Sequence, residues 1–405
     1  MREKQYFYRN KINTVLLFLF VIVALIIPND FYNIKKIIFI LLVVTNIDVI
    51  ISEGKKNLIV LYAGLVFPIF TILYSLLISN GSVFEIISRG YVGIYILIVL
   101  IIGRFQIDFE RIFVFTTKIM TLLLFMSVLL DAAGIVSIYS NPILMFLYSI
   151  QSARIGKGPA FIALGYMIYL QAVPILLYLV MYSYRKKQIL WFVLVSIAIF
   201  FSGSRAVWIS MALEIVGILV MDRNRERSLF RYALLSLIVV FIILSFRSIV
   251  DVISNSFVLK ATGDAVRAGH LISVKSEILK NPITFLFGSG YANYFFSLGN
   301  YRYVNVIELS YWDLFRQIGL VGFIGFLIIL IYPYKKGIKE YGLGIVYICY
   351  LIVAYSNPLL YTSTPYVLYI LVYLRTLYST NNEDNGYKHR ANGLGIKVVF
   401  GKQRS

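Results

Sequence analysis

The sequence predicts an all-α polytopic integral membrane protein with about twelve transmembrane helices, each of about 20 apolar residues. Composition is the first reason. Of 405 residues, 60% are hydrophobic and 14% charged, against about 45–50% and about 25% in soluble domains. The second is that the apolar residues fall in long runs, near 12–28, 34–51, 58–78, 83–102, 112–130, 161–182, 189–201, 206–221, 229–246, 310–333, 341–357 and 364–378. The third is that every second loop between those runs is basic.

The first run, Ile12–Ile27, follows Arg2, Lys4, Arg9 and Lys11. Pro28-Asn29-Asp30 offers no small-residue cleavage site, so the run reads as a membrane helix that is kept. The run at 189–201 is short and is expected to continue toward Arg205. The basic loops carry Lys55/Lys56, Arg104/Arg111, Arg185/Lys186/Lys187, Arg223/Arg225/Arg227/Arg231 and Lys335/Lys336/Lys339, and the tail carries Lys388 to Arg404. By the positive-inside rule these loops and both termini are cytoplasmic. A missed helix would invert half the pattern, so the number of runs and the alternation support each other. Residues 1–378 form one transmembrane domain on this reading, and 379–405 a polar, poorly ordered cytoplasmic tail.

Topology also accounts for the net charge of +19, which removes the case for a nucleic-acid partner. The chain has one cysteine, Cys349, and two distant histidines, His270 and His389. That leaves no metal-ligand spacing and no disulfide, so no metal or cofactor is expected. Tyr and Phe, 32 and 30 in number, are expected mainly at lipid-facing and interfacial positions.

Two outer loops are long, about 131–160 and 247–309, and long loops in compact proteins are usually functional. In the second, Ala265–Lys280 has apolar Val266, Leu271, Val274 and Ile278 and ends at Asn281-Pro282. This predicts an amphipathic helix lying on the outer membrane surface. Gly288-Ser289-Gly290 and Gly156-Lys157-Gly158-Pro159 read as turns.

Arginines on the outer side oppose the charge trend: Arg89, Arg154, Arg205, Arg267 and Arg302, with Lys157 nearby. One such residue can be an interfacial anchor. Several converging guanidiniums would instead bind a phosphate bidentately with a permanent charge. Glu308 stands at the outer start of a helix, where it either complements the dipole or accepts a proton from a hydroxyl. Asp313 and Arg316 have the spacing to pair with each other.

The order of Phe201-Ser202-Gly203-Ser204-Arg205-Ala206, Arg267 in a long outer loop, Asn281-Pro282, Gly288-Ser289-Gly290, and Glu308 ahead of Gly319-Leu320-Val321-Gly322 resembles the O-antigen polymerase and O-antigen ligase superfamily. The motifs cover about the C-terminal half, the topology the whole chain. The resemblance implies a glycosyltransferase fold of the C type in the bacterial cytoplasmic membrane. It also implies metal-independent transfer of glycan from undecaprenyl pyrophosphate on the outer face, alongside a flippase and a chain-length regulator. Ligases of this kind carry a histidine followed by a small polar residue where Glu308 and Leu309 stand here, which favours a polymerase of O-antigen, capsule or exopolysaccharide. Polymerases carry Arg, ten residues, Gly in two outer loops. Arg154 and Gly165 have that spacing, and Arg267 and Arg302 do not. On this resemblance Arg205, Arg267 and Arg154 hold the pyrophosphate and Glu308 is the base. A ligase or a flippase for the same lipid-linked units is the alternative.

Overall fold

The computed structural model describes residues 2–29, 33–157, 165–221, 265–335, 341–355 and 357–378. Most of them are helical. Five described helices are long and apolar enough to cross a membrane by length and composition. They are Tyr6–Ile26 within α1 (Arg2–Ile26), α4 (Leu58–Ile78), α5 (Val83–Phe105), α6 (Phe109–Ala132) and α13 (Ser310–Lys335). Shorter described helices pack with them: α2 (Ile34–Thr45), α3 (Ile47–Gly54), α8 (Leu176–Arg185), α9 (Ile189–Phe201), α10 (Arg205–Met221), α14 (Tyr341–Tyr355) and α15 (Ser363–Tyr378). The expected run at 229–246, the residues 247–264 and the tail from 379 lie outside the described residues.

α15 is the central helix. Its residues from Ser363 to Tyr373 are buried, and it packs against α1, α5, α13 and α14. The peripheral helices expose large apolar side chains such as Leu77, Phe84, Ile37 and Val44. Water would not tolerate so much exposed apolar surface, whereas lipid does.

Several long runs are not single helices. α2 and α3 meet at Asn46, whose amide exchanges hydrogen bonds with Asn13 of α1 (2.7 and 2.9 Å). The run at 161–182 is not one helix. Its described part opens as strand β2 (Tyr166–Leu170) and turns helical only from Val173. The reason is local: Tyr-Met-Ile-Tyr-Leu alternates its burial, with Ile168 and Leu170 in the core, and pairs with β1 (Ala153–Lys157), the period of two that a strand requires.

The aromatic residues also depart from expectation. Tyr347, Tyr350, Tyr369 and Tyr373 are buried within the bundle rather than spread along the lipid boundary. Each hydroxyl donates to a backbone carbonyl: Leu330, Leu359, Leu360 and Ile329, at 2.7–3.1 Å. The last shows the principle. Pro333 inside α13 has no N–H for the Ile329 carbonyl four residues earlier, and Tyr373 supplies the missing donor at 2.7 Å.

The two faces of the bundle differ. On one, the start of α1, the end of α5 and the start of α6 meet through Tyr6–Arg104, Arg9–Asp48, Arg104–Glu53 and Arg375–Glu110 contacts. The other carries two hairpins, β1–β2 and β3 (Phe295–Ser297) with β4 (Arg302–Val304), and three short helices, α7 (Pro142–Ser149), α11 (265–278) and α12 (Pro282–Phe287). The Asn281 side chain caps α12 by accepting from Thr284 N at 2.8 Å, with Pro282 as its first residue.

α11 is not simply laid on a membrane surface. Val274 and Ile278 close a small core with Phe295, Ile307 and Leu309. Its approach to the second hairpin depends on paired glycines. A Cβ on Gly269 would stand 2.6 Å from Gly299 N, and one on Gly299 2.3 Å from Val266 O.

Candidate functional site

A cavity of about 440 Å³ opens on the hairpin face. Among the described residues, four cations line it, Lys35, Arg89, Arg154 and Arg267, against two carboxylates, Glu308 and Asp313. The described lining therefore carries an excess of two positive charges, and a concave cationic wall concentrates anions.

Each wall residue is placed by a local feature. Arg154 lies on β1 opposite Tyr169 of β2. Gly165, at φ +82°, immediately precedes β2; the Arg154–Gly165 spacing is thus the span of one hairpin. That hairpin is pinned at its other end. Lys157 Nζ lies 2.5 Å from the buried Asp131 carboxylate, which also accepts from Tyr166 OH at 2.6 Å and Ile138 N at 3.0 Å. Hydrogen bonding to Asp131 raises the Lys157 pKa, so the ammonium stays charged. Lys157, noted in the sequence beside the outer arginines, is therefore structural.

Arg267 projects from the first turn of α11. Glu308 sits just before α13, between the two arginines: Oε2 is 3.5 Å from Arg267 Nη2 and Oε1 is 3.9 Å from Arg154 Nη2. Arg154 is 73% exposed and Glu308 43%, so this cluster is the rim. Tyr169 lines the same wall with a hydroxyl pKa pushed up to about 12 by burial, which keeps it a donor.

Deeper in the cavity lie Arg89 on α5 and Lys35 on α2. Lys35 is 2% exposed and donates to Ser363 Oγ at 2.9 Å and to the Pro28 carbonyl. Arg89 Nη1 is 3.7 Å from Asp313 Oδ2. Asp313 is held chiefly by others: Arg316 at 2.8 Å through Oδ1, and Gln317 Nε2 at 2.8 Å through Oδ2. The i, i+3 pair expected for Asp313 and Arg316 is present and fully buried.

A broken helix fixes this inner wall. α13 is interrupted at Gly319, at φ +64° and ψ −174°, a conformation close to exclusive to glycine. The Arg316 and Gln317 carbonyls accept from Ser289 N and Gly290 N, both at 2.9 Å. Gly288-Ser289-Gly290 is therefore a clamp on the break. Its closeness needs glycine on both sides, since a Cβ on Gly319 would lie 2.4 Å from Gly288 N.

Of the four residues singled out in the sequence, the structure brings Arg154, Arg267 and Glu308 together. Arg205 is not on the cavity wall. It begins α10, half-buried, after a turn in which Gly203 packs on Met167 of β2. Arg302, on β4, is exposed and also off the wall. Sequence reasoning did not single out Lys35, Ser88, Gln317 or Thr362. Lys35 had a signal, as an ammonium inside an apolar run; the neutral residues had none.

Among the described residues no three of His, Cys, Asp and Glu converge to hold a metal. His270 Nδ1 lies 2.5 Å from Ser297 Oγ, off the cavity, and burial lowers its pKa. No family model matches this chain, and neither a curated protein nor a solved structure does. The fold and site thus define a helical membrane protein with a cationic cavity on its hairpin face.

Proposed function

We propose that the protein is a polysaccharide polymerase, joining undecaprenyl-pyrophosphate-linked repeat units on the outer face of the bacterial cytoplasmic membrane. The observation that carries this reading is the cavity whose described lining holds four cations and two carboxylates, Glu308 standing between Arg154 and Arg267. Such a wall suits a leaving group that gains negative charge. In the reaction, an acceptor sugar hydroxyl attacks the anomeric carbon of the donor. The bond from that carbon to the pyrophosphate oxygen breaks. The guanidiniums stabilise the departing pyrophosphate, and Glu308 takes the hydroxyl proton.

The proposal includes about twelve spans, a C-type glycosyltransferase fold, cytoplasmic termini and the hairpin face turned outward. The basic loops at Lys55/Lys56, Arg104/Arg111 and Arg185/Lys186/Lys187 support that orientation. Lipid-linked oligosaccharides are the substrates, and a flippase and a chain-length regulator the partners in the membrane. Arg154 and Arg267 are assigned direct contact with the pyrophosphate. Arg205 enters as a third arginine beside the β1–β2 hairpin.

The test is the lipid-linked glycan pool of a deletion strain, complemented with wild type, Arg205→Ala, Arg267→Ala or Glu308→Gln. The proposal expects single repeat units to accumulate outside, and only wild type to restore polymer. Units retained inside would indicate a flippase, and unattached full-length chains a ligase.

A further inference from the structure

We infer that the recessed end of this cavity is a second anion site, formed by Lys35, Ser88, Arg89 and Thr362. It takes a phosphate or pyrophosphate group while the Arg154–Arg267 rim holds another.

Three observations carry this. First, the charges form two clusters at different depths. At the rim, Arg154 and Arg267 share Glu308. Inside, Arg89 and Arg316 share Asp313. Each cluster places two guanidiniums against one carboxylate, and the inner one adds Lys35 on the same cavity wall. Second, Arg89 is held loosely. Its 3.7 Å approach to Asp313 exceeds hydrogen-bond length, whereas Arg316 and Gln317 already take Asp313 at 2.8 Å. An incoming anion can therefore be bound by Arg89 without breaking the pair that supports the wall. Third, the hydroxyl of Thr362 lines the cavity, is shielded from solvent and has no hydrogen-bond partner. A buried hydroxyl left unpaired costs free energy that a ligand oxygen would recover. Its neighbour Ser363 already binds the Lys35 ammonium, so a ligand oxygen at Thr362 would lie beside that charge.

Two anion sites match a reaction between two lipid-linked pyrophosphates, and to that extent the inference rests on the polymerase reading. The anion chemistry itself does not depend on it.

The experiment is calorimetric titration of the purified full-length protein in detergent with inorganic pyrophosphate. Wild type is expected to bind two per chain. Thr362→Val removes a hydroxyl that makes no hydrogen bond, so the fold is retained. It should weaken one site about tenfold or more, the loss of one hydrogen bond to a charged group. Lys35→Met should abolish the same site, and Arg267→Ala should weaken the other. One site in wild type, or two sites both indifferent to Thr362→Val, overturns the inference. Repeating the titration with farnesyl pyrophosphate identifies the source: tighter binding at the inner site means a lipid-linked anion, equal binding a free one, and both keep the site. Two sites in a protein that transfers no glycan would defeat the polymerase reading alone. One site in an active polymerase would defeat this inference alone.

Discussion

Replacing Arg316 by alanine separates the residues that hold the cavity open from those that use it. Arg316 is wholly buried. Its guanidinium binds Asp313 Oδ1 at 2.8 and 3.2 Å, the carbonyls of Asn293 and Asn305 at 3.1 and 3.0 Å, and Ser289 Oγ at 3.4 Å, and it stacks 4.3 Å from the Phe295 ring centre. It thereby ties α13 to the segment after the Gly-Ser-Gly clamp and to the loop that carries Glu308. Orphaning one member of a buried ion pair costs about 3–5 kcal/mol. Each carbonyl left unpaired adds about 1–3 kcal/mol. The sum is comparable with the whole stability of a domain, about 5–15 kcal/mol. Arg316→Ala should therefore fail to yield monodisperse protein on size exclusion in detergent. Arg267→Ala, which removes a half-exposed rim contact, should elute and unfold like wild type. Adding Asp313→Asn to Arg316→Ala should recover part of the yield, because the stranded carboxylate is then neutral. Normal yield and an unchanged unfolding midpoint for Arg316→Ala would refute the reasoning.

Other perturbations follow from the same geometry. Glu308→Gln removes the carboxylate charge that stands between Arg154 and Arg267, so it should tighten pyrophosphate binding several-fold, about 1 kcal/mol for a half-exposed pair, while polymer formation falls; weaker binding would contradict the rim arrangement. Gly319→Ala combines a glycine-only conformation with a 2.4 Å contact to Gly288 N, and should cost about 2–6 kcal/mol in thermal or denaturant unfolding from strain and overpacking together. Gly269→Ala should displace α11 from the Gly299 turn and lower activity through Arg267, seen as weaker pyrophosphate binding in a protein that still folds. His270 is held below its unfolded pKa of about 6.5 by burial. Its neutral form therefore supports the hairpin face fully above that value, and the support is lost as pH falls through it toward the folded pKa. Hydrogen-exchange protection across residues 265–304, taken relative to the intrinsic exchange rate at each pH, should fall below pH about 6.5 in wild type and lose that pH dependence in His270→Asn.

The membrane class of the chain was legible because lipid imposes a pattern on composition. α1, α4, α5, α6 and α13 were visible as uninterrupted apolar runs. The strand β2 was not, because Tyr166–Leu170 is as apolar as a helix and only its burial alternates. Nor were the buried tyrosines, since which carbonyls a proline or a linker frees is decided by tertiary packing. At the site, arginines opposing the charge trend pointed to Arg154, Arg267 and Arg89, and an acid at a helix start pointed to Glu308. Arg205 gave the same signal and stands off the cavity wall, because charge position along a chain does not fix direction in space. Gly288-Ser289-Gly290 read as a turn, and its role as a clamp required sight of the break at Gly319, where Ser289 N and Gly290 N meet the Arg316 and Gln317 carbonyls.

The most direct test of the central claim is reconstitution of the purified protein in liposomes with lipid-linked repeat units, resolving products by size. The account predicts a ladder of polymer from wild type, none from Arg154→Ala combined with Arg267→Ala, and normal folding of that variant. A ladder undiminished by removing both arginines would contradict it.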